Sequence, residues 1–171
     1  RVIQTYEGLV YMDFSKERAE QIHGLVCGEY EPLRASLLPP LYVAYKTSIS
    51  EPTEIIHNDL RARFDRGEPA VVEAMGRFAK MTVEARQAIL DGDTAQLGRL
   101  IDQNFDLRRS ICRLPVGQVE MVERARKVGA TAKFAGSGGA IVGTYDDDQT
   151  FARLENELST IGCRVLRVST G

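Results

Sequence analysis

The chain has 171 residues, 43% hydrophobic and 27% charged, and its 22 Lys+Arg stand against 24 Asp+Glu for a net charge of −2. That profile is an ordinary soluble domain's. It excludes disordered, collagenous and membrane-spanning classes, the last needing about 18 uninterrupted apolar residues, and it leaves no basic field to attract nucleic acid. The expected partners are a small molecule or another protein, with no nucleic acid and no membrane.

Cys27, Cys112 and Cys163 form an odd set without C-x-x-C spacing, which argues against a disulfide or zinc scaffold and for a reducing, cytoplasmic setting. The chain opens on Arg1, not Met, and runs directly into the alternation Val2-Ile3-Gln4-Thr5-Tyr6. It reads as part of something longer.

Taken in order, Val10, Met12 and Phe14 share one face of a strand over Leu9–Phe14, paired through Glu7-Gly8 with the strand before it. A polar, helix-tolerant stretch covers Ser15 to Ile22. Pro39-Pro40 then introduces a short strand, Leu41-Tyr42-Val43-Ala44-Tyr45, and marks a candidate domain boundary. From Ser50 the period becomes helical: Ile56, Leu60 and Phe64 fall four apart, and Gly67 ends the segment. A second helix from about Glu68 to Gly92 carries a stripe through Val71, Val72, Met75, Phe78, Ala79, Thr82, Ala85 and Ile89. A third begins at the Asp93-Thr94 cap and presents Leu97, Leu100, Ile101, Asn104 and Leu107.

Leu114-Pro115 breaks the chain before a fourth helix through Val119, Val122 and Ala125 that stops at Gly129. A strand from Ala130 to Phe134 leads into Gly136-Ser137-Gly138-Gly139, and Ala140 to Tyr145 leads out. Asp146-Asp147-Asp148 caps a last helix facing inward through Phe151, Leu154, Leu158 and Ile161, and Arg164 to Val168 forms the final strand. The order β-β-α-α-α-α-β-β-α-β predicts an α+β fold, a mostly antiparallel sheet with helices packed on one face, and its tail suits a ferredoxin-like arrangement.

Chemistry concentrates in few places. The glycine loop leaves backbone N–H groups unobstructed and allows positive φ, as an anion cradle requires, with Lys133 as a neighbouring cation; the same glycines also serve a plain hairpin turn. It matches neither the P-loop nor the dinucleotide fingerprint, both of which open a helix. Arg108 and Arg109 could grip a carboxylate or phosphate with paired hydrogen bonds, or could simply close a solvated helix end, where cations are favoured. Asn104 lies one turn earlier on the same side, as a ligand contact or a satisfied buried amide. His23 and Cys27, His57, and the three aspartates do not assemble a metal site, so no metal ligand and no catalytic residue is assigned within the chain.

The run Lys133-Phe134-Ala135-Gly136-Ser137-Gly138-Gly139-Ala140, after Arg126-Lys127-Val128-Gly129-Ala130, resembles the third motif of the GHMP kinases. Arg1-Val2-Ile3-Gln4, Gly8 to Phe14, Ser36 to Tyr42 and Asn104 to Arg109 are more narrowly similar to the glucuronokinases, in the same order along the chain. The resemblance implies the ferredoxin-like C-terminal domain of a GHMP kinase over residues 37–171, with 1–36 the end of the N-terminal domain or its junction. It implies ATP and Mg²⁺, a sugar acid phosphorylated at its anomeric hydroxyl, and a partner in the form of the N-terminal half. Lys133, Gly136, Ser137, Gly138 and Gly139 inherit a nucleotide-side role, and Asn104, Arg108 and Arg109 are read as substrate-binding. The family's usual motif has Thr at the place of Ala135 and often Ala at that of Ser137, so backbone donation is expected where a hydroxyl contact is not. The serine-rich phosphate loop and the catalytic aspartate do not occur here, and the chain alone is expected to be inactive. Two other readings stand beside this: a kinase for a different sugar, and a non-catalytic ferredoxin-like binding module.

Overall fold

A computed structural model describes residues 8–15, 17–18, 20–46 and 54–169. The chain separates into two compact units, Arg1–Leu38 with Ser169–Gly171, and Pro39–Val168.

In the first unit β1 (Leu9–Asp13) pairs antiparallel with β4 (Glu29–Leu33), and β2 (Glu20–Ile22) with β3 (Leu25–Cys27). The expected helix-tolerant stretch up to Ile22 is corrected: its end is a strand. Here His23 and Gly24, with φ of 51° and 79°, form a two-residue turn whose twist suits a hairpin better than a helix. The partner of β1 is β4, which the sequence reading did not contain because Pro32 interrupts it; the expected partner over Val2–Tyr6 lies outside the described residues. In this unit Phe14 and Tyr30 make an edge-on contact, ring centroids 5.9 Å apart.

The second unit carries β5 (Leu41–Lys46), α1 (Glu54–Asp65), α2 (Pro69–Asp91), α3 (Thr94–Ile111), α4 (Val116–Lys127), β6 (Lys133–Phe134), β7 (Ala140–Thr144), α5 (Asp148–Ser159) and β8 (Cys163–Arg167). Its four strands lie in the order β6-β7-β5-β8, all antiparallel. Numbered within the unit, that is 2-3-1-4, the ferredoxin-like order expected from the sequence. Tyr42 and Ala44 of β5 and Ile141 of β7 point to one face, where they meet Phe105 of α3, Met121, Val122 and Ala125 of α4, and Phe151, Leu154 and Leu158 of α5 in one core. The helices are started by the residues the sequence offers. Asp93 accepts from the Gln96 amide at 2.9 Å and Asp147 from the Thr150 amide at 2.6 Å, which satisfies N–H groups that the first helical turn leaves open.

On α2 the stripe is turned from its expected position. Val72, Ala79 and Thr82 are exposed, and the buried side runs through Val71, Ala74 and Ala88. Ala74 packs with Leu107 and Ile111 of α3, and Ala88 with Leu97 and Ile101; alanines let the two helices approach, so the larger residues fall beside the contact line. On α3 it is Phe105, 1% exposed, that completes the apolar face, and Asn104 beside it is half-buried. Among the described residues no helix is long and apolar enough to cross a membrane.

Of the described glycines in the unit, Gly143 is the most closely approached by backbone: an added Cβ would overlap the Thr131 carbonyl oxygen and stand 2.9 Å from the Tyr42 ring. Tyr42 Oη donates to that same carbonyl at 2.8 Å. Gly143→Val is therefore expected to destabilise the domain by about 1–3 kcal/mol through overpacking, read as a lowered urea midpoint with an unchanged slope.

Candidate functional site

The glycine loop closes the β6–β7 hairpin. Lys133 faces Val142 and Phe134 faces Ile141, the Ala135 amide donates to the Ala140 carbonyl at 3.0 Å, and the four residues from Gly136 to Gly139 make the turn. Gly138 and Gly139 have φ of 150° and 78°, values that a residue with a Cβ rarely adopts. The amides of Gly136, Gly138 and Gly139 donate to no backbone carbonyl among the described residues. The loop's carbonyls have a different fate. Arg108 donates from Nη1 to the Gly136 oxygen at 2.7 Å and from Nη2 to the Ser137 oxygen at 3.0 Å. Its guanidinium lies over the Phe134 ring, 5.2 Å from the centroid. A planar fork suits two successive carbonyls, so the loop is gripped on its acceptor side while no backbone carbonyl among the described residues takes these donors.

A second cation, Lys133, lies close by. It donates to the Phe134 carbonyl at 3.2 Å, and burial, aided by the neighbouring Arg108 charge, holds its ammonium below the usual lysine range. Lys46, at the end of β5, places Nζ 3.3 Å from where a Cβ on Gly117 would stand, in the first turn of α4. Asn104 sits one helical turn before Arg108. Arg109 points elsewhere: its Nη1 pairs with Glu123 at 2.8 Å, both side chains more than half exposed. The structure thus brings Arg108, Lys133 and the loop together and sets Arg109 apart against α4. Gln118, which belongs to none of the motifs above, joins this group from α4 and is buried against Gly138. Its signal was present, since it stands three and four residues before the buried Met121 and Val122.

Behind the loop, Arg126 of α4 donates to the Asp102 carbonyl at 2.8 Å, the Ala132 carbonyl at 3.2 Å and the Asp106 carboxylate at 2.7 Å, and pairs with the Asp102 carboxylate at 2.9 Å. Burial pushes the Asp102 carboxyl up, opposed by the Ala132 amide and by Arg126. A cavity of about 380 Å³ opens nearby, lined by Gly98, Asp102, Thr131 and Thr144. Three of its polar groups have partners: the Thr131 and Thr144 hydroxyls are bonded at 2.8 Å and Asp102 accepts the Ala132 amide at 2.9 Å. At the glycine loop, by contrast, three amides have no backbone partner among the described residues, and this makes it the candidate site.

Among the described residues no three His, Cys, Asp or Glu side chains come together to hold a metal ion. The residues present fit an anion held by amides and cations, and they do not fit a resident metal.

No family model matches the chain. Among curated proteins it is similar to glucuronokinase 1 of Arabidopsis thaliana, 42% identical over 147 residues, which is 83% of this chain and 39% of that protein. It is likewise similar to the probable glucuronokinase 2 of Arabidopsis thaliana, 43% identical over 147 residues with the same coverage of 83% and 39%. Among solved structures it is similar to the L. major mevalonate kinase in complex with R-mevalonate, with a TM-score of 0.71 and 21% identity over 87% of this chain and 47% of that one. That last likeness is one of fold. The chain spans about two fifths of the length of the curated relatives it matches.

Arg108→Met should free the Gly136 and Ser137 carbonyls and keep the apolar stem over Phe134. Hydrogen bonds to a charged group contribute about 1.5–3 kcal/mol, and partial exposure of this pair puts the expected loss near the lower figure. Backbone amide exchange should accelerate from Ala135 to Ala140 and stay unchanged in α5 and β8.

Proposed function

We propose that this chain, a relative of the GHMP kinases in sequence and fold, is the C-terminal half of an ATP-dependent kinase that phosphorylates the anomeric hydroxyl of D-glucuronic acid. The glycine loop carries the reading: three amides without backbone partners, Gly136, Gly138 and Gly139, stand beside the cations Lys133 and Arg108. The 42% identity to a glucuronokinase supports the substrate class.

Bound ATP, with Mg²⁺ as its usual counter-ion in this family, would supply the phosphoryl group. Within the chain, the loop amides would hold terminal phosphate oxygens, and Lys133 and Arg108 would offset their charge. Positioning and charge neutralisation are most of what phosphoryl transfer asks of a protein. Arg108 has five N–H donors, of which the loop carbonyls take two. The remainder would face a substrate carboxylate together with Asn104. Arg109 would join them by exchanging the carboxylate of Glu123 for that of the sugar acid. The metal, the catalytic base and the second phosphate loop are assigned to the N-terminal half, and this chain alone is expected to transfer no phosphate.

Residues 1–36 are assigned to that other half or to its junction. The β1–β4 and β2–β3 ribbons are each two-stranded, and such pairs are marginally stable without a partner layer. Ile22, Leu25 and Val26 are exposed on the second ribbon. The free thiols Cys27, Cys112 and Cys163 suit the proposed cytoplasmic setting.

The test is a substrate panel with the whole protein. Glucuronate should be converted with a higher kcat/KM than galacturonate, glucose or galactose, and Arg109→Ala should raise the KM for glucuronate about tenfold while leaving that for ATP unchanged. A preference for a neutral hexose, or an equal loss for both substrates, would overturn the assignment.

A further inference from the structure

Gln118 occupies the third position of α4 and is 7% exposed. Its backbone N–H is satisfied by the Pro115 carbonyl at 3.0 Å, but its side-chain Oε1 is buried with no donor. That oxygen faces the glycine loop. A Cβ built on Gly138 would overlap Oε1 and would stand 3.0 Å from Cδ and 3.2 Å from Nε2 of the same carboxamide. On this side Gly138 presents a hydrogen bonded to carbon, a poor substitute for an N–H. An orphaned buried acceptor is disfavoured unless something supplies its donor.

The cations nearby are committed elsewhere, Arg108 to the Gly136 and Ser137 carbonyls and Lys133 to that of Phe134. What adjoins Oε1 without a backbone partner is the pair of amides on either side of the Gly138 α-carbon. Those are the amides of Gly138 and Gly139. Unpaired acceptor and unpaired donors are thus separated by one α-carbon, and that carbon belongs to a glycine, whose flanking peptide planes turn with little steric cost.

We propose that Gln118 is the positioning residue of the glycine loop: a small turn of the peptide planes at Gly138 gives its Oε1 a Gly138 or Gly139 N–H when no anion is bound, and a phosphate group that enters takes that N–H in its place. The carboxamide and the anion compete for the same donors, so the loop has two arrangements and the ligand favours one of them. A side chain on Gly138 would displace the carboxamide, and the φ of 150° disfavours one there in any case. This deepens the kinase reading, on which it rests for the identity of the anion, though not for the exchange of partners.

The experiment uses the whole protein with ATP as the probe and compares Gln118→Met, which keeps the volume and removes the acceptor, with Gln118→Glu, which keeps an acceptor. Without nucleotide, Gly138 and Gly139 amide exchange should be about fivefold faster in Gln118→Met than in the unsubstituted protein, and Gln118→Glu should retain protection. With nucleotide the difference should vanish. KM for ATP should fall about fivefold in Gln118→Met while kcat and the KM for the sugar hold, whereas a merely structural role would raise KM or lower the thermal midpoint. Unchanged exchange, or a raised KM for ATP, overturns the proposal. Should the unsubstituted protein phosphorylate none of the sugars, the kinase reading falls, and the exchange comparison still decides the role of Gln118.

Discussion

The arrangement of the second unit depends on one guanidinium. Arg126 leaves α4, lies over the Phe105 ring with its Cζ 5.2 Å from the centroid, and reaches the Asp102 and Asp106 carboxylates together with the Asp102 and Ala132 carbonyls. It thereby joins α4, α3 and the segment that leads into β6. Asp102 completes the tie by accepting the Ala132 amide. A partly buried ion pair is worth having only where the remaining donors and lone pairs are also satisfied, and here backbone carbonyls and a backbone amide supply most of that satisfaction. The direction from which the chain enters β6, and hence where the glycine loop begins, follows from this set of contacts.

The second unit was largely legible because its signals are local. Asp93 and Asp147 announce helix starts, Gly92 and Gly162 helix ends, and the alternation in Leu41–Tyr45 a strand buried on one face. The strand-loop-strand-helix-strand run of the tail pointed to the ferredoxin-like arrangement that the strand order shows. What periodicity could not supply was the rotation of a helix about its own axis. On α2 the contact line runs along Ala74 and Ala88, and alanine carries too little apolar area to dominate a pattern of Val, Met and Phe. In the first unit the alternation of β1 was legible, and the β2–β3 ribbon was hidden for a related reason: β2 and β3 expose Leu25 and Val26, so no alternation distinguishes them from a loop.

The site was legible in part. The glycines and Lys133 are contiguous, so a local motif reveals them, and the resemblance to the GHMP kinases drew on the same run. Arg108 was singled out for its charge, yet its contact with the loop crosses 28 residues of chain and depends on how α3 packs. Arg109, adjacent in sequence, faces α4 because neighbouring helical positions differ in direction by about 100°. Gln118 illustrates the opposite case. A single amide among apolar neighbours carries no charge and forms no motif, and its meaning appears only where its oxygen lacks a donor.

β6 comprises only Lys133 and Phe134, so the ladder that anchors the hairpin is short. The Ala135–Ala140 hydrogen bond extends that ladder, and Arg108 adds a second tie from α3 to the turn itself. The tip is consequently steered from the end of α3: a rigid rod about 27 Å long at 1.5 Å rise per residue, whose far end is started by Asp93. A small tilt of that rod would swing the tip sideways as a rudder is swung by its shaft.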